Sequence, residues 1–175
     1  CSLVLENCKV PVENVIKNPG EGFPIAMNAL DNSRIGIAAQ ALGIAQGSFE
    51  AAVNYAYERE AFGKPIALHQ SIGNYLADMA TRTEAARMLV YKAASAKQSH
   101  YEEGGPRHTK EASMAKLYAG DTAMWVSERA VQVLGGYGYT TDFPVERFFR
   151  DAKITQIYEG TQEVQRIVIN RSISP

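Results

Sequence analysis

Three long segments with a helical spacing of apolar and small residues constrain the fold of this chain more than any other feature. The first runs from about Phe23 to Glu60, and its stripe consists of Met27, Leu30, Ala38, Leu42, Ala45, Phe49, Ala52 and Ala56. Intervals of three, four or multiples of four place these residues on one face of a helix. At 1.5 Å per residue such a helix is roughly 55 Å long, which is typical of a large bundle.

Two further long segments follow, from about His69 to His100 and from Arg107 or Thr109 onward. The predicted apolar face of the second is Ile72, Leu76, Met79, Thr83, Ala86, Val90 and Ala93, and that of the third is Met114, Leu117, Trp125, Ala130 and Leu134. Shorter helices are predicted at about 143–151 and 160–172. Long helices joined by short loops favour an all-α fold, an antiparallel up-and-down four-helix bundle.

The residues before the first helix are predicted to be extended. Ser2–Ile16 is rich in β-forming residues, and Pro11 keeps the residue before it out of the helical region. We therefore expect residues 1–20 to be the terminal strand and linker of a missing β domain, and residues 21–175 to be a helical bundle domain. Because the first residue is Cys and no signal or transit peptide follows, we expect the chain to be part of a longer protein.

Composition excludes several classes of protein. Eighteen Lys and Arg against nineteen Asp and Glu give a net charge of -1, which offers no excess charge to attract nucleic acid or a membrane surface. No apolar run approaches the roughly 18 residues of a membrane-spanning helix. Cys1 and Cys8 are too few for a disulfide scaffold and favour a reducing compartment. His69, His100 and His108 show no metal-binding spacing, so no metal site is predicted.

Three glycines interrupt the first predicted helix. Gly36, Gly43 and Gly47 each cost roughly 1 kcal/mol relative to Ala in an exposed helix. We interpret them as sites of close helix–helix contact in the bundle, in preference to sites where the backbone approaches a ligand.

Two motifs on the long helices carry charges that could form a site. Arg34 lies on the apolar stripe three residues after Asp31, so a buried ion pair and a role in a binding site are equally open. The loop from Arg59 to Pro65 brings two cations and loop amides to one end of the bundle, just before Gln70. That arrangement suits a phosphate, although a solvated turn is favoured on pattern alone.

Two motifs near the carboxyl end complete the set. Gln132–Tyr139 is a glycine-rich helix end, which is usually a cap, and it follows no strand, so it is not a Rossmann fingerprint. Glu159 stands between Tyr158 and Gly160, just before the last helix. A glutamate in an apolar setting has a raised pKa that suits a general base, and the alternative is a carboxylate that merely favours a helix N-terminus.

Together and in this order, these motifs resemble the acyl-CoA dehydrogenases. The stretches concerned are LENCKVPVENVI, GFPIAMNALDNSRIGIAAQALGIAQG, EREAFGKPIALHQ, KEASMAKLYA, QVLGGYGYTTDFPVERFFRDAKI and IYEGTQEVQR. They cover essentially the whole chain, which is similar to the C-terminal part of such an enzyme and most like its short-chain and branched short-chain members. The resemblance implies that only the last β-strand and the C-terminal four-helix bundle of the family's three domains are present.

The resemblance also implies a function in fatty acid β-oxidation. A flavoprotein oxidoreductase of this family uses FAD to oxidise the Cα–Cβ bond of an acyl-CoA thioester and passes electrons to an electron-transferring flavoprotein. Glu159 matches the base that removes the α-proton as hydride passes from Cβ to flavin N5. One branch of the family carries the base at the position of Ser33, which as a serine cannot serve. The residues matched to the substrate side are Asp31, Asn32, Ser33, Arg34, Tyr158 and Gly160.

Matches to FAD-contacting residues imply an oligomer. These residues are Arg59, Phe62, Gln70, Gln132, Val133, Leu134, Gly135, Gly136, Thr161, Gln162 and Glu163. The first three match residues that reach the FAD of a neighbouring subunit, which implies a homotetramer built as a dimer of dimers. The family is located in the mitochondrial matrix of eukaryotes or the cytoplasm of bacteria.

Two alternatives stay open at this point. The first is an acyl-CoA oxidase or related flavoenzyme on the same scaffold, and the second is a non-catalytic helical oligomerisation module. Because the resemblance assigns much of the flavin pocket to the missing domains, we expect this chain alone to fold but to be inactive.

Overall fold

A computed structural model describes residues 2–174. Cys8 is a free, exposed thiol. Cys1 lies outside the described residues, so the prediction about the cysteines is tested for Cys8 alone. The α-helices are α1 (Gly22–Glu58), α2 (Gln70–Glu102), α3 (Thr109–Leu134), α4 (Val145–Ile154) and α5 (Gln162–Ile173). Single 3₁₀ turns occur at Val12–Asn14, Ile66–Leu68 and Gly135–Tyr139. Between α1 and α2, strands β1 (Glu60–Ala61) and β2 (Lys64–Pro65) form a short antiparallel hairpin in which Glu60 pairs with Pro65.

Helix α3 is the central element and packs against each of the other four α-helices. Contacts at one end of the bundle give the helix directions. Asp31, early in α1, accepts a hydrogen bond from Thr109 at the start of α3, whereas Asn32 donates one to Tyr101 near the end of α2. The three long helices therefore run up, down and up, and the predicted all-α bundle is confirmed.

Alanine is the most frequent buried residue on both α1 and α3, the two helices that share the most extensive contact. The fully buried ones are Ala38, Ala41, Ala45, Ala52 and Ala56 on α1 and Ala112, Ala115, Ala119, Ala123 and Ala130 on α3. Side-chain size at a contact sets the distance between helix axes, so methyl groups allow a close approach. This explains why Met114, Leu117 and Trp125, which were predicted to form the core face of α3, lie at its margin and are only partly buried.

The interpretation of the helix α1 glycines is wrong for two of the three. Gly36 and Gly43 are exposed, and a Cβ added at either would meet nothing within 4 Å. Gly47 does lie at a helix contact, because a Cβ there would be 3.4 Å from the Phe148 ring of α4. The exposed glycines therefore serve no packing purpose among residues 2–174.

The segment before α1 has exposed side chains from residue 2 to residue 20 and contains no strand. A strand needs a hydrogen-bonding partner, and none is supplied by the bundle. Its assignment to a β domain stays a prediction.

No helix between residues 2 and 174 is both long and apolar enough to cross a membrane. The same part of the chain contains no group of three or more His, Cys, Asp or Glu side chains that could hold a metal ion.

Candidate active site

The turn between α4 and α5 holds Glu159 in an unusual backbone conformation. Glu159 has φ +56° and Gly160 has φ +90°, both in the left-handed region. A residue with a side chain is uncommon there and persists where surrounding contacts impose the conformation. The Glu159 side chain is half-buried, so it is held in place but still reachable by a ligand.

Helix α1 supplies the contact to the Glu159 carboxylate. The Ser33 hydroxyl donates a hydrogen bond to Glu159 Oε2 at 2.5 Å. Ser33 Oγ also lies 3.2 Å from the Leu30 carbonyl, but a hydroxyl carries one proton, and the shorter contact to a charged acceptor is the stronger. Glu159 Oε1 makes no hydrogen bond to residues 2–174.

Buried side chains from α3 and α5 hold the backbone of the same turn. The Gly160 carbonyl accepts hydrogen bonds from Lys116 Nζ at 2.8 Å and from Gln165 Nε2 at 2.7 Å. Both side chains are fully buried. Burial lowers the pKa of Lys116 to about 8, although nearby Asp121 opposes that shift. Neither residue was identified from the sequence. Lys116 could have been recognised as a cation on a helix face that otherwise carries small and apolar residues.

The predicted ion pair on α1 is present and buried. Arg34 Nη1 donates to Asp31 Oδ1 at 3.0 Å, and Thr109 Oγ1 donates to Asp31 Oδ2 at 2.6 Å. Arg107 from the loop before α3 adds a longer contact of 3.4 Å. Of the two alternatives for Arg34, the ion pair is therefore observed, and a role towards substrate stays a prediction.

Two further predicted substrate residues point in different directions. Tyr158 donates from its hydroxyl to Gln40 Oε1, so its ring spans from the Glu159 turn to the middle of α1. Asn32 instead contacts the Asn28 carbonyl at 2.9 Å and the Tyr101 hydroxyl at 3.0 Å. The neighbours of Glu159 are therefore Ser33, Tyr158 and Gly160. The Asn32 side-chain amide instead contacts Tyr101 near the end of α2.

A second concave surface lies at the other end of α1. A cavity of about 510 Å³ is lined by Tyr55, Arg59, Ile66, Val133, Leu134, Gly135, Gly136, Tyr137 and Thr140. The Arg59 guanidinium lies 6.0 Å from the centre of the Tyr137 ring and forms no salt bridge within residues 2–174. A Cβ at Gly135 or Gly136 would meet nothing within 4 Å, so the backbone there is open. A free guanidinium beside open backbone fits a phosphate group.

The other predicted cofactor residues lie outside this cavity. Phe62, at φ +54°, is 97% exposed at the tip of the β1–β2 hairpin, and Gln70 is exposed at the start of α2. Gln132 lines a separate cavity of about 370 Å³ with residues such as Tyr139 and Phe149. The predicted set therefore does not form a single pocket within one chain.

The three residues after the Glu159 turn begin α5. Thr161 is its N-cap and accepts a hydrogen bond from the Val164 amide at 3.5 Å. Gln162 is buried and bridges to α3 through the Leu117 carbonyl at 2.8 Å. Glu163 is exposed, and hydrogen bonds from its own amide and the Thr161 hydroxyl lower its pKa.

Comparisons with known proteins identify the family to which this chain is similar. Residues 20–174 match the family described as acyl-CoA dehydrogenase, C-terminal domain. The chain is 55% identical over 171 residues to the short-chain specific acyl-CoA dehydrogenase of Clostridium acetobutylicum, covering 98% of this chain and 44% of that protein. It is 52% identical over 171 residues to the acryloyl-CoA reductase (NADH) of Anaerotignum propionicum, covering 98% and 42%. The structure of butyryl-CoA dehydrogenase from Megasphaera elsdenii has a TM-score of 0.92 at 54% identity, covering 97% and 43%.

The chain belongs to the acyl-CoA dehydrogenase family and comprises its helical C-terminal domain. The predicted resemblance to this family, including its short-chain members, is confirmed. The chain spans between 42% and 44% of the length of the relatives named above.

Proposed function

We propose that this chain is the base-carrying C-terminal domain of an FAD-dependent acyl-CoA dehydrogenase that converts a short-chain acyl-CoA to the 2-enoyl-CoA. The observation that carries the proposal is the Glu159 turn, in which a half-buried carboxylate is fixed through its side chain and through its backbone. A carboxylate in that setting suits the removal of a weakly acidic proton next to a thioester carbonyl.

The proton transfer uses the two carboxylate oxygens differently. Ser33 holds Glu159 Oε2, so Oε1 is free to receive the α-proton. The Glu159 amide donates no backbone hydrogen bond within residues 2–174 and is available to the thioester oxygen. A hydrogen-bond donor at that oxygen stabilises the negative charge that develops as the α-proton leaves. FAD, when bound, supplies the acceptor for the hydride that leaves the substrate Cβ.

The residues that would hold FAD lie partly around the end of α1 at Arg59 and partly at the start of α5. Arg59 and the open backbone at Gly135 and Gly136 would bind its pyrophosphate. Phe62 lies in the hairpin and Gln70 at the start of α2, whereas Glu159 lies in the turn before α5. Sharing of each FAD between subunits accounts for this separation, and we propose a homotetramer on that basis.

Electrons leave this enzyme to an electron-transferring flavoprotein in the proposed reaction. The enzyme is located in the mitochondrial matrix in a eukaryotic source or in the cytoplasm in a bacterial one. The 52% identity to an acryloyl-CoA reductase (NADH) supports a second candidate, in which the same site runs in the direction of enoyl-CoA reduction.

Anaerobic flavin reduction by butyryl-CoA tests the proposal in the full-length protein loaded with FAD. The proposal predicts bleaching of the flavin absorbance and reoxidation by an electron-transferring flavoprotein. Hydrogen peroxide formation in air would favour an oxidase instead, and NADH-dependent reduction of acryloyl-CoA would favour the reductase. Bound FAD without any acyl-CoA-dependent bleaching would favour a non-catalytic bundle.

A further inference from the structure

We propose that Lys116 and Gln165 are positioning residues for the Glu159 base, acting through the carbonyl of Gly160. The inference rests on the proposed function, because it concerns the same base. Neither side chain has a hydrogen bond to the Glu159 carboxylate, so each acts on the backbone that carries it.

The geometry places two independent supports on one carbonyl. Lys116 reaches Gly160 O from α3 at 2.8 Å, and Gln165 reaches it from α5 at 2.7 Å. Gln165 Nε2 also lies 3.2 Å from the Glu159 carbonyl. The peptide planes on both sides of Gly160 are thereby tied to α5, and the Gly160 carbonyl is tied to α3 as well.

Such support is needed because the turn is strained. Two successive left-handed residues, Glu159 and Gly160, set the direction of the Glu159 side chain. For Glu159 this conformation costs free energy that local contacts must offset. The fit is also tight, since a Cβ at Gly160 would lie 2.7 Å from Gln165 Nε2. A loosened turn would let Glu159 relax towards an extended conformation and away from Ser33.

The choice of a lysine is the second reason for the assignment. Lys116 is fully buried and has no carboxylate partner within salt-bridge distance among residues 2–174. Its polar contacts are the Gly160 carbonyl and, at 3.3 Å, Gln162 Oε1. A buried cation is costly, and an apolar residue of the same length would fill this space without that cost. The lysine at this position therefore acts by holding the Gly160 carbonyl of the Glu159 turn, and the packing of α3 does not require it.

The test uses Lys116→Met and Gln165→Met in the full-length holoenzyme. Lys110→Met is the matched control, since Lys110 lies on the same helix with a 42% exposed side chain, and its one salt bridge within residues 2–174 is to Glu111. Glu159→Gln is the reference for complete loss of the base. The readouts are the limiting rate of flavin reduction by butyryl-CoA, the Kd of butyryl-CoA, and exchange of its α-hydrogen with D₂O.

Each of the two variants should slow the limiting rate and the α-hydrogen exchange by roughly 10- to 100-fold, since misplacement of a catalytic group by about 1 Å costs on that order. The Kd of butyryl-CoA and the flavin content should stay within about threefold of wild type, and Lys110→Met should match wild type throughout. If the two side chains had only a structural role, the variants would have a lower melting temperature but would not show a reduced limiting rate together with an unchanged Kd.

Limiting rates within twofold of wild type for Lys116→Met and Gln165→Met, alongside a large loss for Glu159→Gln, would overturn the inference and leave the proposed function standing. A wild-type rate for Glu159→Gln would overturn the proposed function itself. Failure of both methionine variants to fold would also count against the inference, because it would assign the two side chains to stability.

Discussion

Ser33 donates a hydrogen bond to Glu159 at 2.5 Å across 126 residues of chain. The contact joins the first turns of α1 to the loop before α5, and both segments also belong to motifs that the sequence singles out. It holds the carboxylate of Glu159, while Lys116 and Gln165 hold the carbonyl of the next residue, Gly160.

Ser33→Ala should lower the limiting rate of flavin reduction by about tenfold in the full-length enzyme. A hydrogen bond to a charged group is worth about 1.5–3 kcal/mol, and part of that stabilisation orients the base. Ser33→Thr keeps the hydroxyl and should retain most of the rate. An alanine variant as fast as wild type in stopped-flow measurements would show that the contact does not orient Glu159.

Asp31→Asn should destabilise the 175-residue chain by about 3–5 kcal/mol. Arg34 would keep its buried position and lose the only carboxylate that it contacts among residues 2–174. The matched control is Glu84→Gln, which breaks an exposed pair with Arg87 and should change stability by less than about 1 kcal/mol. Urea unfolding measures both free energies, and equal values for the two variants would contradict the importance of burial here.

Stability should rise with pH between about 8 and 10.5 because of Lys116. Burial lowers its pKa from 10.5 to about 8 in the folded chain, so in this range the unfolded chain binds more protons than the folded one. The gain is on the order of 3 kcal/mol, since each unit is worth about 1.4 kcal/mol. The measurement is the difference in unfolding free energy between wild type and Lys116→Met as pH is raised. A difference that stays constant across the range would refute this prediction.

Two glycine substitutions should have opposite effects on the isolated chain. Gly43→Ala should stabilise it by about 0.5–1 kcal/mol, because Gly43 is exposed in the middle of α1 with free space around it. Gly138→Ala should destabilise it, because the new Cβ would lie 2.7 Å from the Val131 carbonyl. Thermal unfolding distinguishes the two, and a Gly138→Ala variant as stable as wild type would contradict the close approach.

Arg59→Ala should weaken FAD binding by roughly ten- to a hundredfold in the full-length protein. The guanidinium has no carboxylate partner in residues 2–174, and a charged hydrogen bond to phosphate is worth about 1.5–3 kcal/mol. Arg87→Ala, which removes an arginine already paired with Glu84, should leave the FAD dissociation constant unchanged. Equal FAD affinity in the Arg59 variant and wild type would favour the alternative interpretation, in which the loop from Arg59 to Pro65 is a solvated turn without a phosphate ligand.

The helices could be predicted from the sequence because their periodicity is a local property. Helix α1 was predicted from about Phe23 to Glu60 and runs from Gly22 to Glu58. The core face of α3 was harder to predict from the sequence. Hydrophobicity assigns large residues such as Trp125 to the core, whereas the close approach of α1 favours alanine there. The packing interpretation is wrong for exposed Gly43 for a related reason, since a glycine in a helix suggests close packing, whereas the neighbouring elements decide whether such packing occurs.

The candidate base and its neighbours could be predicted in part. Glu159 is indicated both by its place in the chain and by the family resemblance, and Ser33 by the resemblance, but their direct contact depends on tertiary structure that no spacing reveals. Lys116 and Gln165 were missed because neither stands in a motif that chemistry alone would select. Their role depends on a carbonyl orientation, which side-chain patterns do not encode.

Glu159→Gln in the full-length enzyme is the measurement that tests the central claim most directly. The amide is nearly isosteric, so FAD and butyryl-CoA should bind as in wild type, while the limiting rate of flavin bleaching should fall by at least roughly 10² to 10⁴, because an amide cannot accept the α-proton. Glu84→Gln, on the exposed side of α2, is the control and should bleach at the wild-type rate. A Glu159→Gln enzyme that bleaches its flavin at a near-normal rate would contradict the assignment of Glu159 as the base.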